Sequence, residues 1–235
     1  MMKNILMLLF LAGHTLVAAP VARIHSLSGD VKIRRGMDEV WQTAAAGMVL
    51  ENIDAILCLE GQAVLKLQDD KVFQLGSHAI LDIGDLRTIS RQELFLYLMS
   101  EKVKSIEPRA GKTELKVGSV SLVHGESKTI DAKAGAGPSE QDWTLEFNGA
   151  HALYQHALFS NAIIKLYKIV QKYPGLLDCG ETYYYIGQSF AALSEKGQAA
   201  DAFEECMARA KPCKADHRPW MAEAEDMVKK LRGEY

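Results

Sequence analysis

From Val21 to about Ile130, apolar and polar positions alternate over short stretches separated by turn residues. "VARIHSLSG", "DVKIRR", "QAVLKLQDD" and "KVFQLGSHAILDI" carry a period near two or short apolar runs, the pattern of half-buried strands. Turns fall at Ser28-Gly29-Asp30, Arg35-Gly36, Glu60-Gly61, Asp69-Asp70 and Gly84-Asp85. Val64, Leu65 and Leu67 with Val72, Phe73 and Leu75 predict a hairpin around Asp69-Asp70. "LFLYLMSEKVKSI" fits either period and is read as a strand or buried run. "DAKAGAGPSEQD", residues 131–142, reads as a linker, rich in small residues and charges. Beyond it the period lengthens to 3.6. "LYQHALFSNAIIKLYKIVQKYP", "ETYYYIGQSFAALSE", "GQAADAFEECMARAKP" and "PWMAEAEDMVKKLRGEY" predict amphipathic helical segments, stopped by Pro174-Gly175, Lys196-Gly197 and Pro212. The expected class is therefore α+β multidomain: an all-β sandwich, barrel or roll over 20–130, then all-α hairpins over 143–235.

Composition narrows the function classes. The 235 residues are 48% apolar and 24% charged, with a net charge of −3, an ordinary globular balance. No Lys- or Arg-rich stripe with interleaved aromatics is present, which argues against nucleic acid as a partner. "MMKNILMLLFLAGHTLVAAP" has a basic start, an apolar middle and a small-residue end, so residues 1–19 read as a secretory signal peptide. An uncleaved N-terminal anchor is the rival reading, and in either case the rest of the chain is exported. In an oxidising compartment close cysteines pair. Cys58 stands alone in the first half, whereas Cys179, Cys206 and Cys213 cluster near the end without metal-ligand spacing.

Ser28, Gly29, Val31, Trp41, Gly47, Leu50 and Asp54 form a spaced pattern that resembles the FecR-type periplasmic domain. The chain departs from that pattern at Ile53, Cys58 and Asp70, where glycine, threonine and glycine are usual. "LKVGSVSLVHGE" resembles the family's closing strand, with Val123-His124-Gly125-Glu126 at its end.

In the helical half, Ala162, Leu166 and Ile169 recur as Ala199, Phe203 and Cys206 at an offset of 37 residues. Tyr183, Ile186, Gly187, Phe190, Ala199 and Phe203 resemble the signature positions of a tetratricopeptide repeat; an earlier copy is weaker, with Glu146 at the aromatic place. The resemblance implies helical hairpins whose first helices line a peptide-binding face. Its inward places are Phe147, His151, Tyr154 and Gln155 in the first copy and Glu181, Tyr184 and Gln188 in the second. Tyr183 is assigned to the core and Tyr185 to a neighbouring helix or solvent, leaving Tyr184 as the functional tyrosine. Antiparallel helices would bring Cys179 and Cys213 together as a disulfide, with Cys206–Cys213 as the runner-up and Cys206 facing inward.

No catalytic motif stands out. Gly-x-Ser-x-Gly, His-Glu-x-x-His and a complete phosphate-binding loop are missing, and "GKT" at 111–113 lacks the rest of such a loop. His151 and His156 lie five apart, off one helical face. Asp69-Asp70 reads as a turn, Cys58 as a buried strand residue and His124 as a strand-end residue. The expectation is a non-enzymatic periplasmic or envelope scaffold that binds a protein partner, with no cofactor and no metal; the alternative is a cell-wall or glycan-binding module acting through the β domain.

Overall fold

The computed structural model describes residues 21–104, 140–173, 175, 178–214 and 219–233. The expected signal peptide, most of the expected linker, His124 with the expected closing strand, and the 111–113 motif fall outside these residues.

Among the described residues, eight strands form two antiparallel four-stranded sheets. The first has the order β4 (Val49–Leu50), β1 (Ala22–Ser28), β6 (Gln62–Leu67), β7 (Val72–Leu75). The second runs β3 (Trp41–Thr43), β2 (Val31–Arg34), β5 (Ala55–Cys58), β8 (Ala79–Asp82). Alternation along each strand sends Ile24, Leu65, Phe73 and Leu75 of one sheet and Ile33, Ile56, Cys58 and Leu81 of the other into one dry core. The β6–β7 hairpin turns at Asp69-Asp70 as expected, with Asp70 at a φ of 61° and each aspartate pairing with a nearby lysine. "KVFQLGSHAILDI" divides into β7 and β8, which belong to different sheets. Asp54, one of the spaced FecR-type positions, is buried and accepts from Arg35 Nη1 (2.6 Å) and from the backbone N–H groups of Gly36 and Glu51, so its carboxylate ties the β5 approach to the preceding turns.

The apolar run after residue 90 is a helix, α1 (Arg91–Lys104), and the strand reading is corrected. Ser90 Oγ accepts the Glu93 N–H, so Ser-x-x-Glu starts the helix with a capping interaction. Leu94 enters the helical core while Phe95, Leu96 and Met99 stay exposed, an apolar surface on both sides that obscured the period.

Five further helices follow: α2 (Glu140–Gln155), α3 (Phe159–Lys172), α4 (Glu181–Ala192), α5 (Lys196–Ala210) and α6 (Met221–Arg232). α2 begins at Glu140, three residues inside the expected linker. The chain turns between α2 and α3 with Ala157 at a φ of 57°, so the apolar segment 153–174 is the end of one helix and the whole of the next. Ala162, Leu166 and Ile169 of α3, and Ala199, Phe203 and Cys206 of α5, are all fully buried. Gly187 makes the α4–α5 approach possible, since a Cβ there would lie 2.8 Å from the Phe203 ring.

The helical array and the sandwich share an interface. α2 lies across β8, where a Cβ on Gly149 would stand 2.0 Å from the Ile80 carbonyl oxygen. Ala152, Leu153 and Ala162 join the β-domain core. Asn148 donates to the His78 carbonyl (2.7 Å), and Asn161 donates to the carbonyls of Asp85 and Arg87. Lys165 is buried beneath α3 and reaches Asp82 (2.6 Å) and Asp85 (2.9 Å) beside a polar cleft of 320 Å³. Burial opposes its ammonium charge, yet the two carboxylates outweigh that cost and hold its pKa above the usual lysine value. Among the described residues no helix is long and apolar enough to cross a membrane.

Candidate functional site: an aromatic face on the helical array

α2 and α4 present a continuous set of rings. His151 lies 4.5 Å from Tyr185, and Tyr154 and Tyr184 each lie 5.2 Å from it, measured between ring centroids. Phe147 approaches Tyr185 at 5.9 Å, and Phe159 extends the set from Tyr154 at 5.8 Å. The α2 residues come together because 147, 151 and 154 follow the three-to-four spacing of one helical face. Separations of this size with tilted planes suit the ring quadrupoles. His151, Tyr154, Tyr184 and Tyr185 are half-buried, so the set is a surface with its lower half packed.

The expected binding residues divide on inspection. His151, Tyr154, Tyr184, Glu181 and Gln188 belong to this face, with Gln155 exposed at the end of α2. Phe147 is 6% exposed and belongs to the helical core; it supports the face from below, which corrects its assignment as a surface contact. Tyr185, assigned to a neighbouring helix or solvent, is the hub that touches Phe147, His151, Tyr154 and Tyr184. Tyr184 sits to one side, against Phe203 of α5 and bonded through its hydroxyl to Gln188 (2.8 Å). Adjacent helical residues differ by about 100° in direction, so a small rotation of α4 exchanges the roles of two neighbouring tyrosines. Tyr183 packs between Tyr167 and the Arg209 guanidinium, partly buried against the core.

Charge on the face is carboxylate charge. Gln188 Nε2 also donates to Glu223 of α6 (2.8 Å), which links α6 to the set. Burial raises the Tyr154 phenol, and Glu223 raises it further; burial, Glu181, Tyr154 and Glu223 act in the same direction on Tyr185. Burial, then the charge of Asp178, raises the Glu181 carboxyl. His151 is lowered by burial, which favours its neutral ring. His156 makes other contacts, lying at a tilt against the Phe73 ring (4.6 Å between centroids) and accepting the Gln74 N–H (2.9 Å), so the two histidines serve different contacts.

The entry to α4 is fixed beside this face. Cys179 and Cys213 form a disulfide with Cα atoms 5.8 Å apart, the expected pairing over its Cys206 alternative. Asp178 accepts the backbone N–H groups of Gly180 (3.0 Å) and Thr182 (2.8 Å), and Trp220 Nε1 donates to the Cys179 carbonyl. Cys179 and Gly180 both take left-handed φ values, 52° and 86°, in the turn that Asp178 heads. Cys58 and Cys206 remain free thiols, both fully buried; desolvation pushes Cys58 up to about 11 and Cys206 up to about 12, so both stay protonated at neutral pH. Compared with family models, curated proteins and solved structures, the chain matches none.

Proposed function

We propose that the chain is an exported, non-enzymatic interaction protein of the periplasm or envelope, in which a FecR-like sandwich carries a tetratricopeptide-like array that docks a protein partner. The observation that carries this reading is the half-buried ring set on α2 and α4, centred on Tyr185. Large aromatics with polar neighbours are the side chains that dominate interface energetics. The repeated burial of Ala162/Ala199, Leu166/Phe203 and Ile169/Cys206 supports the repeat resemblance, as does the close Gly187–Phe203 approach. Export is supported by the signal-like N-terminus together with the disulfide.

The test is affinity capture from envelope extract with the full chain and with Tyr154→Ala/Tyr185→Ala, both checked for an unchanged melting profile. A protein recovered by the wild type and lost with the double variant supports docking at this face. Retention of that protein by the double variant, or recovery of purified cell wall by both forms alike, removes the face from the function and favours a wall-binding role for the sandwich.

A further inference from the structure

We propose that the aromatic face recognises a cationic side chain, arginine above lysine, on an extended segment of the protein partner. The inference rests on the docking reading and assigns the chemistry of the occupant.

Three features point to a cation. His151, Tyr154 and Tyr185 are each partly exposed, and a tyrosine ring attracts a cation through its quadrupole. Two carboxylates flank those rings, Glu181 at the start of α4 and Glu223 at the start of α6. Glu181 stands one turn before Tyr185 on α4, four residues away and so on the same helical side, and Glu223 reaches the set through Gln188, which also bonds the Tyr184 hydroxyl. Finally, two cations of the helical array are committed elsewhere. Lys172 pairs with Glu146, and Arg209 pairs with Glu205 and covers the Tyr183 ring.

Glu181 gives this arrangement its direction. It is half-buried, and among the described residues no ion pair holds it. A carboxylate drawn partly out of water without a counter-charge is a cost that an incoming cation removes. An acidic segment would meet Glu181 and Glu223 and be repelled, whereas a neutral apolar one would leave Glu181 uncompensated. A guanidinium is the better occupant because it is planar, weakly hydrated and able to stack on a ring while its N–H edge meets a carboxylate. An ammonium can do one of these well at a time.

Blocked heptapeptides in a Gly-Ser frame provide the probe, carrying two arginines, two lysines or two glutamates. Binding is read by fluorescence anisotropy of the labelled peptide and by shifts of the Tyr154 and Tyr185 ring signals in the full chain. The expected order is arginine, lysine, then no binding for glutamate. The arginine peptide should lose about tenfold in affinity with Glu181→Gln/Glu223→Gln, the size of one charge-assisted contact, because the rings are unchanged. It should also weaken as salt rises from about 0.05 M to about 0.5 M in the wild type, a control that does not depend on the variant's folding. Equal binding of the arginine and glutamate peptides, or affinity indifferent to both the carboxylate variant and salt, overturns the inference. Affinity capture separates this failure from failure of docking: a partner lost with Tyr154→Ala/Tyr185→Ala but kept with Glu181→Gln/Glu223→Gln leaves docking intact and ends the cation assignment.

Discussion

Ala162, Leu166 and Ile169 of α3 hold the places that Ala199, Phe203 and Cys206 hold in α5, and all six are sealed from water. Around these matching cores the two hairpins are fastened by different means. The α2–α3 pair rests on the sandwich through Gly149 at the Ile80 carbonyl, Asn148 and Asn161 on backbone carbonyls, and Lys165 between Asp82 and Asp85. The α4–α5 pair leans on its neighbours α3 and α6 and is closed by Cys179–Cys213 and the Trp220 indole. One hairpin is secured by a large neighbour and the other by a covalent clasp. A stacked helical array needs both ends covered, and here each end has found a separate solution.

The strongest way to break this contrast is to remove the clasp. Cys179→Ala/Cys213→Ala reopens a loop of 34 residues and should cost roughly 3–4 kcal/mol on the chain-entropy estimate. Hydrogen exchange should quicken in α4 and α5 and stay slow in β5, β8 and α3. Uniform quickening across the molecule would mean that the hairpins share one cooperative unit and that the contrast is false.

Lys165→Met attacks the other fastening. The methionine keeps most of the length of the stem but leaves Asp85 without its ammonium partner in a nearly closed site. Removing one member of a buried pair costs about 3 kcal/mol, reduced here because Asp82 is half-exposed and can turn to water. Exchange should now quicken in α2 and α3. A loss below about 0.5 kcal/mol in denaturant unfolding would show that apolar packing of Ala152, Leu153 and Ala162 alone holds the interface.

These two fastenings differ in how openly the sequence announced them. The clasp was legible because a helical-hairpin register puts residues 179 and 213 at neighbouring ends, a consequence of local spacing. Most strand positions and the Asp69-Asp70 turn were legible for the same reason, since period and turn chemistry are local. The Lys165 site was not, because it joins residues 80 and more positions apart and nothing in α3 by itself calls for a carboxylate. Helix α1 was missed although Ser90 and Glu93 carried a capping signal, because Phe95, Leu96 and Met99 spread apolar character around it. On the candidate face, His151, Tyr154 and Glu181 had been placed on the inward side by the repeat resemblance. The choice between Tyr184 and Tyr185 turned on a rotation that packing decides and a single repeat pattern does not.

The finest test uses pH, because one carboxyl on each hairpin's surroundings is shifted, and in opposite directions. Burial pushes the Asp82 carboxyl up, but the Lys165 charge and hydrogen bond pull harder and leave it below the ordinary aspartate value. A depressed folded value stabilises the protein above the unfolded value of about 3.9, and the contribution fades as pH falls through the folded one. Glu181 is the reverse: burial and Asp178 raise it, so its ionisation works against folding above the raised value and the penalty disappears in acid. Asp82→Asn should therefore lower the melting temperature at pH 7, with the deficit closing below about pH 4. Glu181→Gln should raise it at pH 7, with the gain shrinking as the pH approaches about 4 from above, where the wild-type glutamate accepts its proton. Each effect should be small, on the order of a few degrees or less, because both groups keep contact with solvent. Calorimetric melts of the two variants and the wild type from pH 3 to pH 7 check the pair together. Shifts of the same sign would mean that the two carboxyls feel similar surroundings; opposite signs converging in acid would tie the sandwich-side fastening to a paired charge and the α4 entrance to a carboxylate that no ion pair holds among the described residues.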